Sequence, residues 1–346
     1  MKTIRVAIAD DSSFIRRAVT HMLEAEDDMC LVGAAGAGEE LLEHLDAWAP
    51  DAVILDLSMP GLGGMATLEA LMARRPTPVI ILSTHSGRGA PLTLEALYRG
   101  AVDFVDKQSV SLVDFEALRG ALCEKIRQVV VSEGGAPLTS LLSRPPPSQG
   151  GGKRTAVEIL VLGASTGGPQ ALETILRDLG PHLPVPAVIA QHMPARFTRA
   201  FAERLDGCLP LRVREAADGE PLLPAAVYIA PGGHHLRIER HGARLRAALE
   251  GLRPDLPSAP SVDLLFSTAE AAAGARTLAV LLTGMGRDGA AGMVRLSQAG
   301  AYTIAQDRAT STVYGMPKAA AEAGAVREEL PLAQIGPRLR DLLGGG

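Results

Sequence analysis

Cysteine is scarce. Cys30, Cys123 and Cys208 are the only three in 346 residues, and none stands in a Cys-x-x-Cys or Cys/His spacing, so neither a disulfide framework nor a zinc site is indicated and each reads as a buried structural thiol. Aromatic residues make up 3% of the chain, and Lys plus Arg number 34 against 39 Asp plus Glu, for a formal net charge of -5. Stacking rings and basic stripes are both missing, which argues against a nucleic-acid partner. No apolar run approaches the roughly 18–20 residues of a spanning helix, and the opening MKTIRVAIAD reaches Asp10 before any long apolar stretch has formed. A cytoplasmic protein that does not span a membrane is therefore expected. No repeat of about 20–50 residues marks a solenoid.

What is present is ordinary globular material, with 47% apolar and 21% charged residues. At roughly 100–200 residues per domain the length suits two domains or one large one rather than a single small module. The segment SEGGAPLTSLLSRPPPSQGGGKRT (132–155) is rich in Gly, Pro and Ser and has no sustained apolar period, which marks an exposed linker. The expected division is a domain over 1–127, a linker over 128–155 and a second domain over 156–346. In the first, five short β-type runs (RVAIAD, MCLVGAA, DAVILDL, PVIILST, VDFVDK) alternate with helical patterns, predicting a flavodoxin-like (βα)5 parallel sheet. The second resumes the alternation with VEILVLGAS, AVIAQH, TLAVLLTG and AYTIAQ. The segment LRVREAADGEPLLPAAVYIAPGGHHLRIERHGARLRAAL, with its DG turn and alternating runs, predicts an antiparallel edge or hairpin. The fold class is thus α/β throughout: a (βα)5 domain followed by a doubly wound parallel sheet with an antiparallel edge hairpin.

In an open parallel sheet, ligands sit beyond the carboxyl ends of the strands. In the first domain those ends carry Asp10 and Asp11, Asp56, Ser83 and Thr84, and Asp106 and Lys107. Three carboxylates brought together repel unless a cation joins them, and hard oxygen donors suit Mg²⁺. Asp56 could then attack a phosphoryl donor while Mg²⁺ and the Lys107 ammonium offset charge on the transferring group. The plain alternative is that Asp10 or Asp11 merely caps the next helix. The runs ADDS, LDLSMPGLGG, LST and DFVDK, in this order, resemble the receiver domain of two-component response regulators, over about residues 3 to 127. The resemblance implies Asp56 as phosphoacceptor, Asp10, Asp11 and Asp56 around Mg²⁺, Lys107 on the phosphoryl group, and Ser83 and Phe104 as the pair that rearranges on phosphorylation. Gly63 stands where receivers usually have Asp, and Gln108 where Pro is usual.

In the second domain GASTGG (163–168) lies between a strand and a helix, a tight turn that could lift Ser165 into the open before helix amides. It lacks the GK[ST] of a P-loop. A nucleophilic serine needs a base and the base an orienting acid. His192 ends the strand AVIAQH on the same sheet edge as Ser165 and leads, with His234 and His235 of PGGHHL as competitors. His21, His44, His85, His182 and His241 fall on first-domain helices or in loops. Asp288 in LLTGMGRDGA is the candidate acid, its alternative being a plain helix cap.

Together GASTGG, QHMPARFTRAFAERL, YIAPGGHHL and LLTGMGRDGAAGM resemble the catalytic domain of the chemotaxis protein-glutamate methylesterase (CheB) family, over nearly all of 157–343. The resemblance implies a Ser165, His192, Asp288 triad, backbone oxyanion contacts near Thr166 and Met285, and a structural His235. It further implies phosphorylation-activated hydrolysis of glutamyl methyl esters, with deamidation of selected glutamines, on chemoreceptor signalling helices. A chemotaxis histidine kinase is the implied phosphodonor, and the esterase reaction itself needs no metal. The rival reading is a response regulator whose second half binds a partner or an anion. A serine-directed phosphonate separates the two, because an anion site would not be modified through His192. A transcription-factor output is disfavoured, since no basic helix-turn-helix unit follows the linker.

Overall fold

The computed structural model describes residues 3–83, 89–107, 115–131, 156–181 and 183–344. The chain forms two compact units, Met1–Glu133 and Gly134–Gly346. Thr84, His85, Gln108, His182 and linker residues 132–155 lie outside the described residues.

The first unit runs β1 (Ile4–Ala9), α1 (Ser13–Glu24), β2 (Met29–Ala35), α2 (Gly38–Trp48), β3 (Ala52–Asp56), α3 (Gly64–Arg74), β4 (Val79–Ser83), α4 (Gly89–Tyr98), β5 (Asp103–Asp106), α5 (Phe115–Val131). Its strands pair in parallel in the order β2-β1-β3-β4-β5, so β1 and β3 are neighbours, as the flavodoxin-like order requires. Every residue of β3 and β4 is buried, the pattern of strands covered on both faces. Helix α1 starts where the Ser12 hydroxyl accepts from the Ile15 amide. Ser12 thus supplies the cap and leaves Asp10 and Asp11 for other work. Helix α5 continues to Val131, beyond the expected boundary at residue 127. Its last turns are held to the α1–β2 turn by Arg127, whose Nε donates to Asp28 at 2.7 Å and whose guanidinium also pairs with Glu26. Gly63, the departure noted above, caps α3 at φ 77, in the left-handed region where an aspartate would be strained.

The second unit runs β6 (Ile159–Ala164), α6 (Gly168–Leu179), β7 (Ala187–Gln191), α7 (Ala195–Cys208), β8 (Arg212–Glu215), β9 (Ala226–Ile229), β10 (His235–His241), β11 (Arg244–Glu250), α8 (Val262–Ala273), β12 (Thr277–Leu281), α9 (Ala290–Gln298), β13 (Tyr302–Gln306), α10 (Met316–Glu322), β14 (Glu328–Leu330), α11 (Leu332–Leu343). Seven strands form one parallel sheet in the order β14-β13-β12-β6-β7-β9-β8. The antiparallel hairpin is present as β10 and β11, but it forms a two-stranded sheet of its own rather than extending an edge. Its apolar side packs against α8 and enters the core with Phe266, Met293, Leu296 and Met316. The edges are instead β8 and β14. The chain leaves β6 toward β7 and later returns to its other side as β12. That reversal opens a crevice beyond the carboxyl ends of β6 and β12.

Of the three thiols, Cys123 is buried, Cys30 is half-buried and Cys208 is exposed. Burial is the expectation for all three; Cys208, the last residue of α7, departs from it because it lies off the buried face formed by Phe197, Phe201, Ala202 and Leu205.

Candidate active site and phosphoacceptor site

At the carboxyl ends of β1 and β3, ligand oxygens of Asp10, Asp11 and Asp56 lie within 4.8 Å of one another. Lys107, following β5, places Nζ 2.7 Å from Asp10 Oδ2 and 2.6 Å from Asp56 Oδ2. The amides of Ser12 and Ser58 donate to the remaining oxygens, Asp10 Oδ1 at 2.9 Å and Asp56 Oδ1 at 3.0 Å. Burial pushes the Asp10 carboxyl above its usual range, against the pull of Lys107. Burial alone would lower Lys107, and its two carboxylate partners hold it above its usual value instead. Asp10 Oδ2 is in ion-pair contact with Lys107 yet buried without a completed hydrogen bond. An under-satisfied buried oxygen, two further carboxylates and one exposed side among them fit a hard divalent cation that keeps several waters.

Ser83 and Phe104 lie on the neighbouring strands β4 and β5, both buried. Phe104 stands in register with Ile81. The Thr93 hydroxyl on α4 donates to Gly89 O at 2.8 Å, so the Ser83 hydroxyl, 2.7 Å away, is the donor to Thr93. Ser83 is thereby turned to α4 rather than to the carboxylates.

In the second unit the register of β6 with β7 pairs Ala164 with Gln191, so Ser165 and His192 are the next residues on adjacent strands. The His192 amide donates to Ala164 O at 3.0 Å, and the Ser165 amide to Thr283 O at 3.0 Å. Gln191, buried between them, donates its side-chain amide to Ser165 O at 2.9 Å. Ser165 O also accepts from the Gly168 amide at 2.8 Å, closing the turn that puts the serine at the N-terminus of α6. Ser165 and His192 are both half-buried.

His192 Nε2 lies 2.7 Å from Asp288 Oδ2. Asp288 does not cap α9, the helix that follows it; the N-cap of α9 is Gly289, and no side chain caps it locally. Its Oδ1 accepts from Ser261 Oγ at 3.1 Å and the Asp263 amide at 2.9 Å, and its Oδ2 accepts from the Val262 amide at 2.7 Å. The carboxylate therefore sits on the N-terminus of α8. Burial would raise the Asp288 carboxyl, but His192 and the two α8 amides together hold it below the usual carboxylate range. An ionised Asp288 can only accept, so Nε2 carries the proton and Nδ1 is the ring nitrogen with a lone pair.

His235, the competing base, is fully buried, and neither ring nitrogen has a hydrogen-bond partner. Desolvation keeps it neutral by lowering its pKa. His234 lies in the turn before β10 and its amide donates to Pro231 O at 3.2 Å. Of the candidate bases, His192 is the one joined to Asp288.

Residues 160–339 match the CheB methylesterase family model, and residues 6–117 match the response regulator receiver domain model. The chain belongs to the CheB methylesterase family. It is 41% identical to protein-glutamate methylesterase/protein-glutamine glutaminase 2 of Cupriavidus pinatubonensis, covering 97% of this chain and 95% of that protein. A protein-glutamate methylesterase/protein-glutamine glutaminase of Geobacillus kaustophilus is 40% identical, over 99% of this chain and 100% of its own length. The crystal structure of the Thermotoga maritima CheB methylesterase catalytic domain superposes with a TM-score of 0.53 at 39% identity, covering 54% of this chain and all of that domain.

Several residues of this CheB-family site carry no motif in the sequence. Ser261, Val262 and Asp263 hold Asp288, yet they cap and open a helix whose signature is modest: a Ser cap and buried positions at Val262, Leu265, Phe266 and Ala269. That i, i+3, i+4, i+7 spacing is the signal that could have found it. Gly284 is another. Its amide donates to Val313 O and its carbonyl accepts from Gly315 and Met316, which fixes the start of the Met285 turn. A Cβ there would come within 2.7 Å of Ser165 Cβ and 2.4 Å of Met316 Sδ, so only glycine lets this loop approach the serine.

Proposed function

We propose that this chain is a phosphorylation-activated serine hydrolase that removes methyl groups from glutamyl methyl esters of chemoreceptor signalling helices and deamidates selected glutamines there. The observation that carries the reading is the His192–Asp288 pair, set on the strand adjoining Ser165 and completed by α8 amides. In the proposed reaction His192 Nδ1 takes the Ser165 proton as Oγ attacks the side-chain carbonyl. The oxyanion is met by the amides of Thr166, at the N-terminus of α6, and Met285, in the Gly284 turn. The imidazolium is stabilised by Asp288 and returns the proton to methanol, or to ammonia when the substrate is a glutamine. Water, deprotonated by the same imidazole, then attacks the acyl-serine and releases glutamate and free Ser165. The names of the curated relatives, methylesterase and glutaminase, favour this reading over an anion-binding role for the Ser165 loop.

In the receiver, Asp56 is the proposed phosphoacceptor. Asp10, Asp11 and Asp56 would hold Mg²⁺, which offsets charge on the phosphoryl group when bound. Lys107, already against two of these carboxylates, would turn to the new phosphoryl oxygens, and Ser83 and Phe104 would rearrange with it. A chemotaxis histidine kinase is the proposed donor. No helix among the described residues is long and apolar enough to cross a membrane, in keeping with an enzyme that works in the cytoplasm. The test is methanol release from methylated receptors by the intact chain, with and without a small phosphodonor and Mg²⁺. Release that rises with the phosphodonor and vanishes in Ser165→Ala is expected. No release from any methylated receptor would contradict the reading.

A further inference from the structure

The helix N-termini that meet behind the catalytic carboxylate are each served by the other's aspartate. Asp288, directly before α9, accepts from the Val262 and Asp263 amides at the start of α8. Asp263, in that first turn of α8, reciprocates: its Oδ1 accepts from the Gly292 amide in the first turn of α9 at 2.7 Å, with the amides of Gly289 and Ala291 against the same carboxylate. Since the N-cap of α9 is Gly289, which has no side chain to offer, Asp263 supplies from a distance what a local cap residue would.

The crossing is close. A Cβ at Gly292 would lie 2.6 Å from Phe266 Cβ and 3.0 Å from Asp263 O, and one at Gly289 would lie 2.7 Å from Val262 Cγ1. The two carboxylates are near enough to oppose each other. Burial first, and then the charge of Asp288, push the Asp263 carboxyl above its usual range, while the α9 amides pull it back. A second carboxylate is thus an expensive cap at this place by electrostatics alone. What it achieves is geometric: the turn from Arg287 to Gly289 is tied to α8 at both ends, through Asp288 on the α8 amides and through Asp263 on the α9 amides that follow the turn.

We propose that Asp263 is a positioning residue of the hydrolytic site, fixing the α9 N-terminus and with it the placement of Asp288 Oδ2 against His192 Nε2. The proposal rests on the Ser165, His192, Asp288 reading above. Without the Asp263 carboxylate the first α9 amides lose their acceptor and the Asp288 turn is held at one end only. Misplacing a catalytic group by a fraction of an ångström to an ångström costs on the order of tenfold to a hundredfold in rate.

Two readouts on the full chain need no receptor: the rate of Ser165 labelling by a fluorophosphonate, and the low-field proton resonance of the imidazole N–H donated to Asp288. In Asp263→Ala, with a cooperative melt preserved, labelling is expected to slow by about tenfold or more, and the low-field resonance to weaken or move. Asp263→Asn keeps an oxygen for the Gly292 amide and is expected to recover most of both. Gly292→Ala, which forces the two turns apart while leaving Asp263 in place, is expected to perturb the same resonance and covers the case in which Asp263→Ala does not fold. An unchanged resonance in the folded Asp263→Ala protein, or in Gly292→Ala if the alanine variant at 263 is unfolded, overturns the proposal, as does an Asn variant as slow as the Ala variant. A wild-type chain that shows neither labelling nor the resonance would remove the triad and the proposal with it. Labelling without methanol release from any receptor would count against the ester substrate alone.

Discussion

Both units gather aspartates at the carboxyl ends of parallel strands, and they satisfy them in opposite ways. In the receiver, Asp10 and Asp56 share one ammonium, Lys107, with Asp11 beside them, and a buried oxygen of Asp10 is left without a completed hydrogen bond. In the hydrolase, Asp288 has both oxygens occupied by the imidazole, two amides and the Ser261 hydroxyl. The first carboxyl, Asp10, is held above its usual range by burial; the second, Asp288, is held below it by its donors. A site with surplus negative charge is built to take up something positive or to exchange partners. A site whose carboxylate is fully met is built to keep one imidazole in one orientation and tautomer.

The largest test of this contrast is Ser165→Ala, which removes the proposed nucleophile and leaves the turn. Methanol release should fall by roughly 10⁴–10⁶, while phosphorylation of Asp56 proceeds unchanged. His192→Ala should be comparably damaging, and the double variant little worse than either. The converse variant, Asp56→Asn, should take up no phosphate from a small donor and should lose the phosphodonor response while retaining basal release; acid-stable label elsewhere would count against Asp56.

Gly284→Ala comes next. Its Cβ would meet Ser165 and Met316, so kcat should drop by about a hundredfold with the receiver's phosphorylation rate untouched. A variant with normal kcat would show that the loop tolerates retreat from the serine. Smaller again is the response to Mg²⁺. At tenfold excess over its Kd, Mg²⁺ should stabilise the receiver by about 1.4 kcal/mol, read as a rise of roughly 4 °C in the receiver's transition, with no shift of the hydrolase transition. Asp11→Asn should shrink that rise.

The smallest effect is in pH. Because the Asp288 carboxyl lies below its unfolded value when folded, it contributes stability above the unfolded pKa, near ~4, and that contribution is lost as pH falls through the lower folded pKa. Asp288→Asn should therefore be less stable than wild type at pH 5–8, and the gap should close below about pH 4. A gap independent of pH would mean that charge at Asp288 contributes nothing to the fold.

The strand ends were the legible part of this molecule. Asp10, Asp56, Lys107, Ser165 and His192 each end or directly follow a short apolar run, and the parallel topology brings them to an edge without further information. What holds them was less visible. Val262 and Asp263 act through backbone amides, which any residue supplies, Ser261 acts through a hydroxyl that stands in no motif, and α8 lies far from Asp288 in the chain. The hairpin was legible as a pair of strands but not as a separate sheet, because alternation reports which face is apolar and not what covers it. Asp288 could be read as a helix cap, and it is one in a sense that no local pattern contains: it serves α8, from the turn before α9.

The most direct measurement is active-site titration of the phosphodonor-treated full chain with a fluorophosphonate, followed by peptide mass mapping and parallel assay of methanol release from methylated receptor. The expected result is one adduct per chain, on Ser165, with methanol release falling in proportion to its occupancy. Full methanol release from a chain modified at Ser165, or an adduct that maps to another residue and accounts for the lost activity, would contradict it.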